Sequence, residues 1–323
     1  MYGGRTVGVV VPAYNERSHV VEVLAAMPAL VDRCYVVDDG STDGTWETVR
    51  SFVAGREPRR DGPDFVPIRH RRNRGAGAAI KTGYARALAD GLDVTVTIDA
   101  DGQMDPGAMD RLLDPIVEGR ADYAKGNRLE RPADRGEMPS LRWVGNWLLT
   151  WLTKVASGYW HVRDPQNGYT AISHRALAAI DVDSLFDFYG YSNDVLVRLN
   201  AAEMRVADVP MPAAYGDERS SIRLVTYVPA VSSLLLRRFS WRLLVRVRTR
   251  AYQPVALCYL LGLLGAGFAL FDLVGSAAID PTGGPVAVGL PGALPSFILG
   301  GLFTAAGMAV DRRVNRRLEV PRE

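Results

Sequence analysis

The stretch Val94–Gln103, Val-Thr-Val-Thr-Ile-Asp-Ala-Asp-Gly-Gln, carries the pattern that decides the fold. Its first half, Val94–Ile98, is a short run rich in β-branched residues, and such a run predicts a buried strand. Asp99 and Asp101 follow at once, and residues i and i+2 of an extended segment point to the same side. The sequence therefore predicts two carboxylates side by side at the carboxyl end of a strand.

A metal ion is one explanation for this pair of carboxylates. Adjacent carboxylates repel each other, and their oxygens are ligands that suit Mg²⁺ or Mn²⁺, either of which would also bind a diphosphate. Gln103 continues the alternation and offers an amide oxygen. We therefore predict a metal site at Asp99, Asp101 and Gln103. The alternative is that Asp99 caps the following turn while Asp101 is solvated.

The alternation of apolar runs and helical stretches extends through the first part of the chain. Three further runs predict strands, at Val7–Val11, Cys34–Val37 and Phe65–Ile68. The stretches between the runs predict helices, at Ser18–Leu30, Gly44–Val53 and Gly75–Ala89. Strands that alternate with helices indicate an α/β fold with a Rossmann-like, mainly parallel sheet. Ligands of such sheets bind beyond the carboxyl ends of the strands, so we expect the polar loops there to form one site.

Two of these loops carry further candidate residues. Pro12–Glu16 follows the first strand and offers the ring of Tyr14 and the carboxylate of Glu16 to a base and a ribose. Asp38–Thr45 combines turn-forming residues with more carboxylates than a tight turn requires. Both loops also fit a structural role, the first as a helix start and the second as a turn that is capped by Asp43.

A glycine-rich stretch, Asn73–Gly83, opens the third predicted helix. Its backbone N–H groups and the side chain of Lys81 are suited to a phosphate or a sugar. Arg74 and Lys81 fit equally well as solvated charges on the helix surface. The spacing differs from that of a P-loop, so nucleotide hydrolysis is not indicated.

The last hundred residues differ from the rest of the chain. Residues 252–271 and 286–310 contain no charged side chain, and each is long enough to cross a hydrocarbon core of about 30 Å as a helix. Arginines flank this pair, whereas the connecting loop carries Asp272 and Asp280 without Lys or Arg. The positive-inside rule predicts a transmembrane hairpin with both ends in the cytoplasm. The alternative is a pair of buried helices in a soluble domain.

Four segments, taken in order, resemble a known family: Val11–Glu16, Val37–Thr45, Asn73–Gly83 and Asp99–Gln103. Together they resemble the family-two glycosyltransferases with the GT-A fold, and more narrowly the dolichol-phosphate mannose synthases and polyprenyl-phosphate glucosyltransferases. The resemblance covers roughly residues 5–220. It implies that a nucleoside is contacted by Pro12, Tyr14, Glu16 and Asp39. It also implies that the metal ion and the donor diphosphate are bound by Asp99, Asp101 and Gln103.

A tryptophan-rich segment, Leu141–Tyr159, follows the strand that ends at Gly126–Arg128. Three of its tryptophans are spaced by four and share one helical face: Trp143, Trp147 and Trp151. This pattern predicts an interfacial helix against lipid headgroups, and the alternative is a core helix. In the family this region covers the acceptor phosphate, which implies that Arg128 and Arg142 bind it.

The segment Arg163–Tyr169 resembles the family's Asp-x-x-x-Gly-aromatic acceptor loop. Asp164 then holds the position of a proposed base. Thr170 stands where many relatives have Arg, so Arg163 is a further candidate for binding the acceptor phosphate. A phosphate monoester is already largely dianionic at pH 7 and needs orientation more than deprotonation. Asp164 is therefore equally suited to orient an arginine or to cap a turn.

The chain is divided into four predicted parts. They are a catalytic domain over 1–220, a basic amphipathic interfacial segment over 221–250, two transmembrane helices within 251–311 and a basic cytoplasmic tail over 312–323. The arginines of residues 237–250 favour an anionic lipid surface. Thr6–Val11 is strand-like and no signal-peptide pattern precedes it, and Cys34 and Cys258 are too far apart to predict a disulfide. The catalytic domain is therefore expected in the cytoplasm, in a protein anchored to the cell membrane.

The predicted reaction is a metal-dependent, inverting transfer of a hexose from a nucleotide sugar to a polyprenyl or dolichyl phosphate. Its catalytic candidates are Asp101, Arg128 and Asp164. Alternatives are an enzyme of the same fold with a glycan or protein acceptor, and an inert membrane scaffold. The sequence leaves open UDP or GDP, glucose or mannose, and whether the chain forms a homo-oligomer. The net charge of +2 says little about partners, and we expect no nucleic-acid partner for such an enzyme.

Overall fold

The computed structural model describes residues 1–56, 62–128, 140–211, 224–278 and 290–321. These residues form two compact units. The first unit comprises Met1–Phe239 together with Arg317–Glu323, and the second comprises Ser240–Arg316. The first unit contains a sheet covered by helices, and the second contains a helical hairpin.

Seven described strands form one sheet in the order β3-β2-β1-β4-β6-β5-β7. Their bounds are β1 Val7–Ala13, β2 Arg33–Asp38, β3 Asp64–Arg69, β4 Val94–Thr97, β5 Tyr123–Asn127, β6 Thr170–Ser173 and β7 Val206–Pro210. Strand β6 runs antiparallel to both β4 and β5, and the other pairings are parallel. The sheet is therefore mainly parallel, as the sequence predicts.

Ten described helices accompany the sheet. They are α1 Val20–Ala25, α2 Thr45–Ala54, α3 Ala76–Ala89, α4 Asp110–Val117, α5 Ser140–Ser157, α6 His174–Ala179, α7 Tyr191–Ala201, α8 Leu224–Arg246, α9 Gln253–Ala278 and α10 Leu290–Asn315. The three helices predicted between the first four strands are confirmed. The first of them is shorter than the predicted Ser18–Leu30, because a proline at position 28 disfavours helical backbone in the residue before it.

Both faces of the sheet are buried, which is why the first strand reads as a continuous apolar run. In β1, Val9 and Val11 pack into the core on one face, and Val10 packs into the core on the other. Helix α3 approaches the second face so closely that a Cβ atom on Gly83 would lie 2.3 Å from Val10 Cγ1. This contact fixes α3 against β1 and sets the position of the loop that precedes the helix.

Two helices are long and apolar enough to cross a membrane, Arg250–Val274 and Ala293–Leu318. All but the last two of their residues belong to the second unit. The two helices pack tightly, since a Cβ atom on Gly265 would lie 2.7 Å from Gly300 Cα. Only 11% and 17% of their most apolar windows are buried, which is unlike the core helices of a soluble domain. Residues 286–289 and Asp280 lie outside the described residues.

The predicted lipid-facing arginine stretch is divided between buried and exposed side chains. Within the second unit Arg242 is fully buried and its Nη2 lies 2.9 Å from Asp311 Oδ2. Within the first unit Arg238 Nε lies 2.7 Å from Asp194 Oδ1. These two guanidinium groups are bound to protein carboxylates, so the prediction that the arginines of residues 237–250 favour an anionic lipid surface does not extend to them. Three arginines of that stretch are exposed: Arg237, Arg248 and Arg250.

Candidate functional site

A cavity of about 510 Å³ opens at the carboxyl ends of β1, β2, β4 and β5. Seven of the side chains singled out from the sequence line it: Pro12, Tyr14, Glu16, Asp39, Asp99, Asp101 and Arg128. They come from four separate loops, which the sheet topology brings to one edge. The expectation that the polar loops form a single site is therefore met in the described structure.

The pair Asp99 and Asp101 lies where β4 ends and lines the cavity. Burial raises the pKa of Asp99 to about 7, and the negative charges of Asp101 and Glu16 act in the same direction. The positive charge of Arg128 acts against them. A carboxyl group whose pKa is raised by neighbouring negative charges gains from a cation placed beside it. Of the two interpretations, the geometry favours a cation site over a turn cap.

The local backbone positions this pair from two sides. The backbone N–H of Gln103 donates to Asp101 Oδ1 over 3.0 Å. A Cβ atom on Gly168 would lie 2.7 Å from Asp99 Oδ2, so a larger residue at position 168 would displace this carboxylate. Gln103 itself lines a small neighbouring cavity with Arg128 and Tyr169. The structure thus assigns Gln103 to the support of Asp101 and not to the lining of the main cavity.

The donor set is suited to a divalent cation that also binds a substrate. Among the residues that the structure describes, no group of three or more His, Cys, Asp and Glu side chains forms a complete metal site. Mg²⁺ and Mn²⁺ are commonly held by one or two carboxylates together with phosphate oxygens. Asp99 and Asp101 fit that pattern, in which a diphosphate would complete the coordination.

The first two polar loops are tied together by hydrogen bonds. Asn15 has a left-handed backbone, with φ of 59°, and its N–H donates to Ser41 Oγ over 2.9 Å. The N–H of Glu16 donates to Thr45 Oγ1 over 2.9 Å. Asp43 accepts from the N–H of Thr45 over 2.9 Å, so the predicted cap is present as well. These bonds fix Tyr14 and Glu16 at the rim of the cavity.

Asp39 is buried beneath the cavity and accepts three donors. His70 Nδ1 lies 2.7 Å from Asp39 Oδ1, and the Gly75 N–H donates to Oδ2 over 2.7 Å. The Arg74 N–H lies 3.0 and 3.1 Å from the two oxygens. The sequence did not single out His70, because no motif pairs a histidine with a loop thirty residues earlier.

Lys81 does not line the cavity, and its predicted role as a donor ligand is corrected. Its Nζ donates to the backbone oxygens of Asp183 and Leu185, each over 3.1 Å. It also lies 2.5 Å from Asp187 Oδ1. Helix α3 presents this ammonium group on the face away from the cavity, where protein acceptors bind it. Solvation as a free surface charge, the alternative interpretation, does not apply either.

Arg128 and Asp164 form an ion pair beside the cavity. Arg128 Nε lies 3.1 Å from Asp164 Oδ2, and the backbone N–H of Arg128 lies 3.4 Å from the same oxygen. Asp164 is 4% exposed and does not line the cavity, whereas Arg128 does. The geometry favours the interpretation that Asp164 orients an arginine.

A buried lysine lies beneath this ion pair. The Nζ of Lys125, a residue of β5, donates to the backbone oxygen of Asn167 over 2.6 Å. Burial lowers the pKa of Lys125 to about 7, although the charge of Asp164 acts in the opposite direction. The bond ties the loop that carries Gly168 to β5. No pattern in the sequence distinguishes this lysine from a solvated one.

The structure does not place Arg163 or Arg142, the other predicted ligands of the acceptor phosphate, in the lining of the cavity. Arg163 has an exposed side chain, and its backbone N–H donates to Asp208 Oδ1 over 3.3 Å. Arg142 lies in α5, and its side chain is outside the described part of the chain. The cavity wall also contains residues that the sequence did not indicate, among them Gln166, Phe188, Tyr189, Tyr191 and Tyr227.

Two tryptophans of helix α5, Trp147 and Trp151, are exposed to solvent. Trp147 is 58% exposed and Trp151 is 40% exposed, whereas Leu149 is fully buried. Trp143 is outside the residues whose side chains the structure describes. The interpretation of this segment as a tryptophan-rich core helix is wrong for Trp147 and Trp151. Exposed tryptophans on one helix are typical of a lipid interface.

Comparison with known proteins places these features in context. The family model described as glycosyl transferase family 2 matches residues 8–181. A UDP-N-acetylglucosamine–dolichyl-phosphate N-acetylglucosaminyltransferase from Methanococcus voltae is 29% identical over 213 residues, which cover 64% of this chain and 84% of that protein. An undecaprenyl-phosphate mannosyltransferase from Micrococcus luteus is 30% identical, with coverage of 62% and 81%.

Solved structures of similar fold include glucosyl-3-phosphoglycerate synthase from Mycobacterium tuberculosis. Its complex with Mn²⁺, UDP-glucose and phosphoglyceric acid superposes with a TM-score of 0.53 at 22% identity, covering 73% of this chain and 80% of that one. Its complex with UDP gives a TM-score of 0.51. The likeness establishes the GT-A fold of the first unit, as the sequence motifs predict.

Proposed function

The chain belongs to glycosyl transferase family 2, and from this premise we propose that it transfers a hexose from a nucleotide sugar to a polyprenyl or dolichyl phosphate. The observation that carries the proposal is the meeting of Asp99, Asp101 and Arg128 in one cavity. The two carboxylates are suited to a cation that also binds the donor diphosphate. The guanidinium group of Arg128 is suited to a second phosphate, that of the acceptor. Relatives named for dolichyl-phosphate and undecaprenyl-phosphate substrates support the acceptor class.

The nucleotide sugar is proposed to occupy the part of the cavity bordered by the first two loops. Pro12, Tyr14 and Glu16 lie at the end of β1, and Asp39 lies at the end of β2. The aromatic ring suits a base, and the carboxylate suits ribose hydroxyls. From there the diphosphate reaches Asp99 and Asp101. The UDP-glucose complex of a protein with the same fold supports a uridine donor as the first to be tested.

The acceptor phosphate is proposed to lie against Arg128, with Arg142 and Arg163 as further candidates. One phosphate oxygen attacks the anomeric carbon and forms a new C–O bond. The bond from that carbon to the diphosphate breaks, and the nucleoside diphosphate leaves with the electron pair, so the anomeric configuration inverts. The acceptor is already largely dianionic at pH 7, so Arg128 contributes by holding it in line.

A divalent cation, Mg²⁺ or Mn²⁺, would supply neutralisation of the charge that develops on the leaving diphosphate. Asp99 and Asp101 hold the positions suited to it, and Gln103 keeps Asp101 in place through its backbone N–H. The protein's own contribution is a rigid, partly buried arrangement of charges, which needs little reorganisation during the reaction.

The second unit is proposed to anchor the chain in a membrane. The two apolar helices would form a hairpin with both ends in the cytoplasm, and residues 221–250 and 312–323 would flank it as basic segments. The exposed Trp147 and Trp151 would lie at the headgroup level. Anchoring would keep the chain at the membrane that contains polyprenyl phosphates. A homo-oligomer is compatible with the proposal.

The proposal is tested with membranes that contain the full chain, a polyprenyl phosphate, Mn²⁺ and a panel of radiolabelled UDP- and GDP-sugars. We expect a chloroform-extractable, acid-labile sugar lipid from one donor. EDTA should abolish it. Asp101→Asn should lower its formation by about 100-fold or more, because a preorganised charge contact in the transition state is lost.

Asp110→Asn is the matched control, since Asp110 lies at the start of α4 and does not line the cavity. This variant should form the sugar lipid at the wild-type rate. Hydrolysis of a donor without a lipid product would reject the acceptor assignment and favour a glycan or protein acceptor. If no donor bound to the protein, glycosyl transfer itself would be rejected in favour of an inert scaffold.

A further inference from the structure

We propose that His70 is a positioning residue for the nucleotide-sugar subsite, acting through Asp39 and the start of α3. The inference rests on the proposed function and extends it to a side chain that lies outside the cavity lining. His70 is 8% exposed and directly follows β3. Its ring joins the loop after β2 to helix α3.

Both nitrogens of the ring are engaged. Nδ1 lies 2.7 Å from Asp39 Oδ1, and Nε2 lies 2.9 Å from Thr82 Oγ1. The other protein contacts of Asp39 are with backbone N–H groups, so the carboxylate acts as an acceptor and Nδ1 is the donor to it. The backbone N–H of His70 also donates to the Asp38 oxygen over 2.8 Å. The ring is therefore held in one orientation.

Asp39 connects the fixed ring of His70 to the backbone of the loop that lines the cavity. Its oxygens accept from the N–H groups of Arg74 and Gly75, at 2.7 to 3.1 Å. A carboxylate offers about four lone-pair positions. The contacts of Asp39 with His70 Nδ1 and with the N–H groups of Arg74 and Gly75 occupy these positions. Asp39 thus shapes the loop more than it reaches out to a ligand.

The loop held in this way forms part of the cavity wall. Asn73, Gly75 and Ala76 all line the cavity. Gly75 has φ of 101°, and a Cβ atom there would lie 2.5 Å from the Asp187 backbone oxygen. The loop keeps this unusual backbone conformation only if its N–H groups are hydrogen-bonded, and Asp39 provides the acceptor. Loss of the His70 donor would leave Asp39 free to rotate and would release this wall.

The test separates the two ends of the ring. Asn places its Nδ2 near the position of histidine Nδ1, and Gln places its Nε2 near that of histidine Nε2. His70→Asn therefore keeps a donor to Asp39, whereas His70→Gln keeps a polar group beside Thr82 only. The measurement is the dissociation constant of UDP and of GDP, each with Mn²⁺, for the detergent-solubilised full chain by calorimetry.

For whichever nucleotide binds the wild type, His70→Gln should weaken binding by about tenfold or more, since a hydrogen bond to a charged group is lost. His70→Asn should remain within about threefold of the wild type. His174→Gln is the matched control: its Nδ1 lies 3.1 Å from the Leu92 backbone oxygen, away from the cavity lining. This control should leave nucleotide binding unchanged.

Thermal unfolding of each variant accompanies the titrations. The inference is overturned if His70→Gln binds as tightly as the wild type, and the proposed function then still stands. It is also overturned if His70→Asn and His70→Gln lose binding equally and both unfold at lower temperature, because His70 would then be general core support. If the wild type bound neither UDP nor GDP, the proposed function would fail and this inference with it.

Discussion

At the scale of single residues, the ion pair of Arg128 and Asp164 decides between two chemical roles. Asp164 Oδ2 accepts from Arg128 Nε over 3.1 Å and is nearly buried. A general base must reach the proton that it removes, and Asp164 is outside the cavity lining that Arg128 forms. The distances therefore support a carboxylate that orients the guanidinium group of Arg128 toward the cavity, where the acceptor phosphate is proposed to bind.

Asp164→Asn tests this assignment, because the amide oxygen can still accept from Arg128 although it cannot take up a proton at neutral pH. We expect kcat within about tenfold of the wild type and an unchanged shape of the pH–rate profile. Removal of a general base typically costs about 10²–10⁴-fold. A loss of that size, together with loss of the acidic limb of the profile, would identify Asp164 as a base.

The sequence predicts the carboxylates of the site well and their partners poorly. Asp99 and Asp101 could be predicted because two charged residues directly after a buried strand are a local pattern. His70 and Lys125 could not, since their roles depend on neighbours that the fold brings together. Lys81 was misassigned for the same reason: its acceptors lie about a hundred positions later in the chain.

At the scale of elements, the segment after the last described α-helix belongs to the first unit. Glu319 pairs in parallel with Val206 of β7, and the Val320 N–H donates to the Val206 oxygen over 3.0 Å. The Glu319 carboxylate also accepts from the His161 backbone N–H over 2.8 Å. The segment covers an edge strand that would otherwise expose unpaired backbone groups. A local pattern predicts only a basic tail here, because the pairing partner lies more than one hundred residues away.

Leu318→Ala measures how much this segment contributes to the free energy of unfolding of the first unit. Leu318 is 4% exposed and packs into the second core of the sheet. Truncation of a buried leucine costs about 2–5 kcal/mol of unfolding free energy. We expect a lower unfolding temperature in detergent, with donor affinity retained below it. Arg316→Ala, at an exposed neighbouring position, is the control. Equal unfolding temperatures for Leu318→Ala and the wild type would show that the segment is not part of the folded unit.

At the scale of the whole molecule, the arginines that flank the apolar helices predict the direction in which the chain crosses the membrane. Arg248 and Arg250 precede the first uncharged stretch, 252–271, and a further group follows the second, 286–310: Arg312, Arg313, Arg316 and Arg317. The loop between the spans has no Lys or Arg. Cytoplasmic retention of short positively charged segments would place both ends on the side where nucleotide sugars are made.

Cysteine labelling in intact cells tests this orientation. Thr282→Cys adds a thiol to the loop between the spans, and Glu323→Cys adds one at the last residue. With a membrane-impermeant maleimide we expect labelling of Thr282→Cys in intact cells, and of Glu323→Cys only after permeabilisation. Cys34 is buried and Cys258 lies within the first apolar helix, so the unsubstituted chain gives the background. Labelling of Glu323→Cys in intact cells would show that the hairpin has the opposite orientation. The proposed nucleotide-sugar donors would then be on the other side of the membrane from the ends of the hairpin.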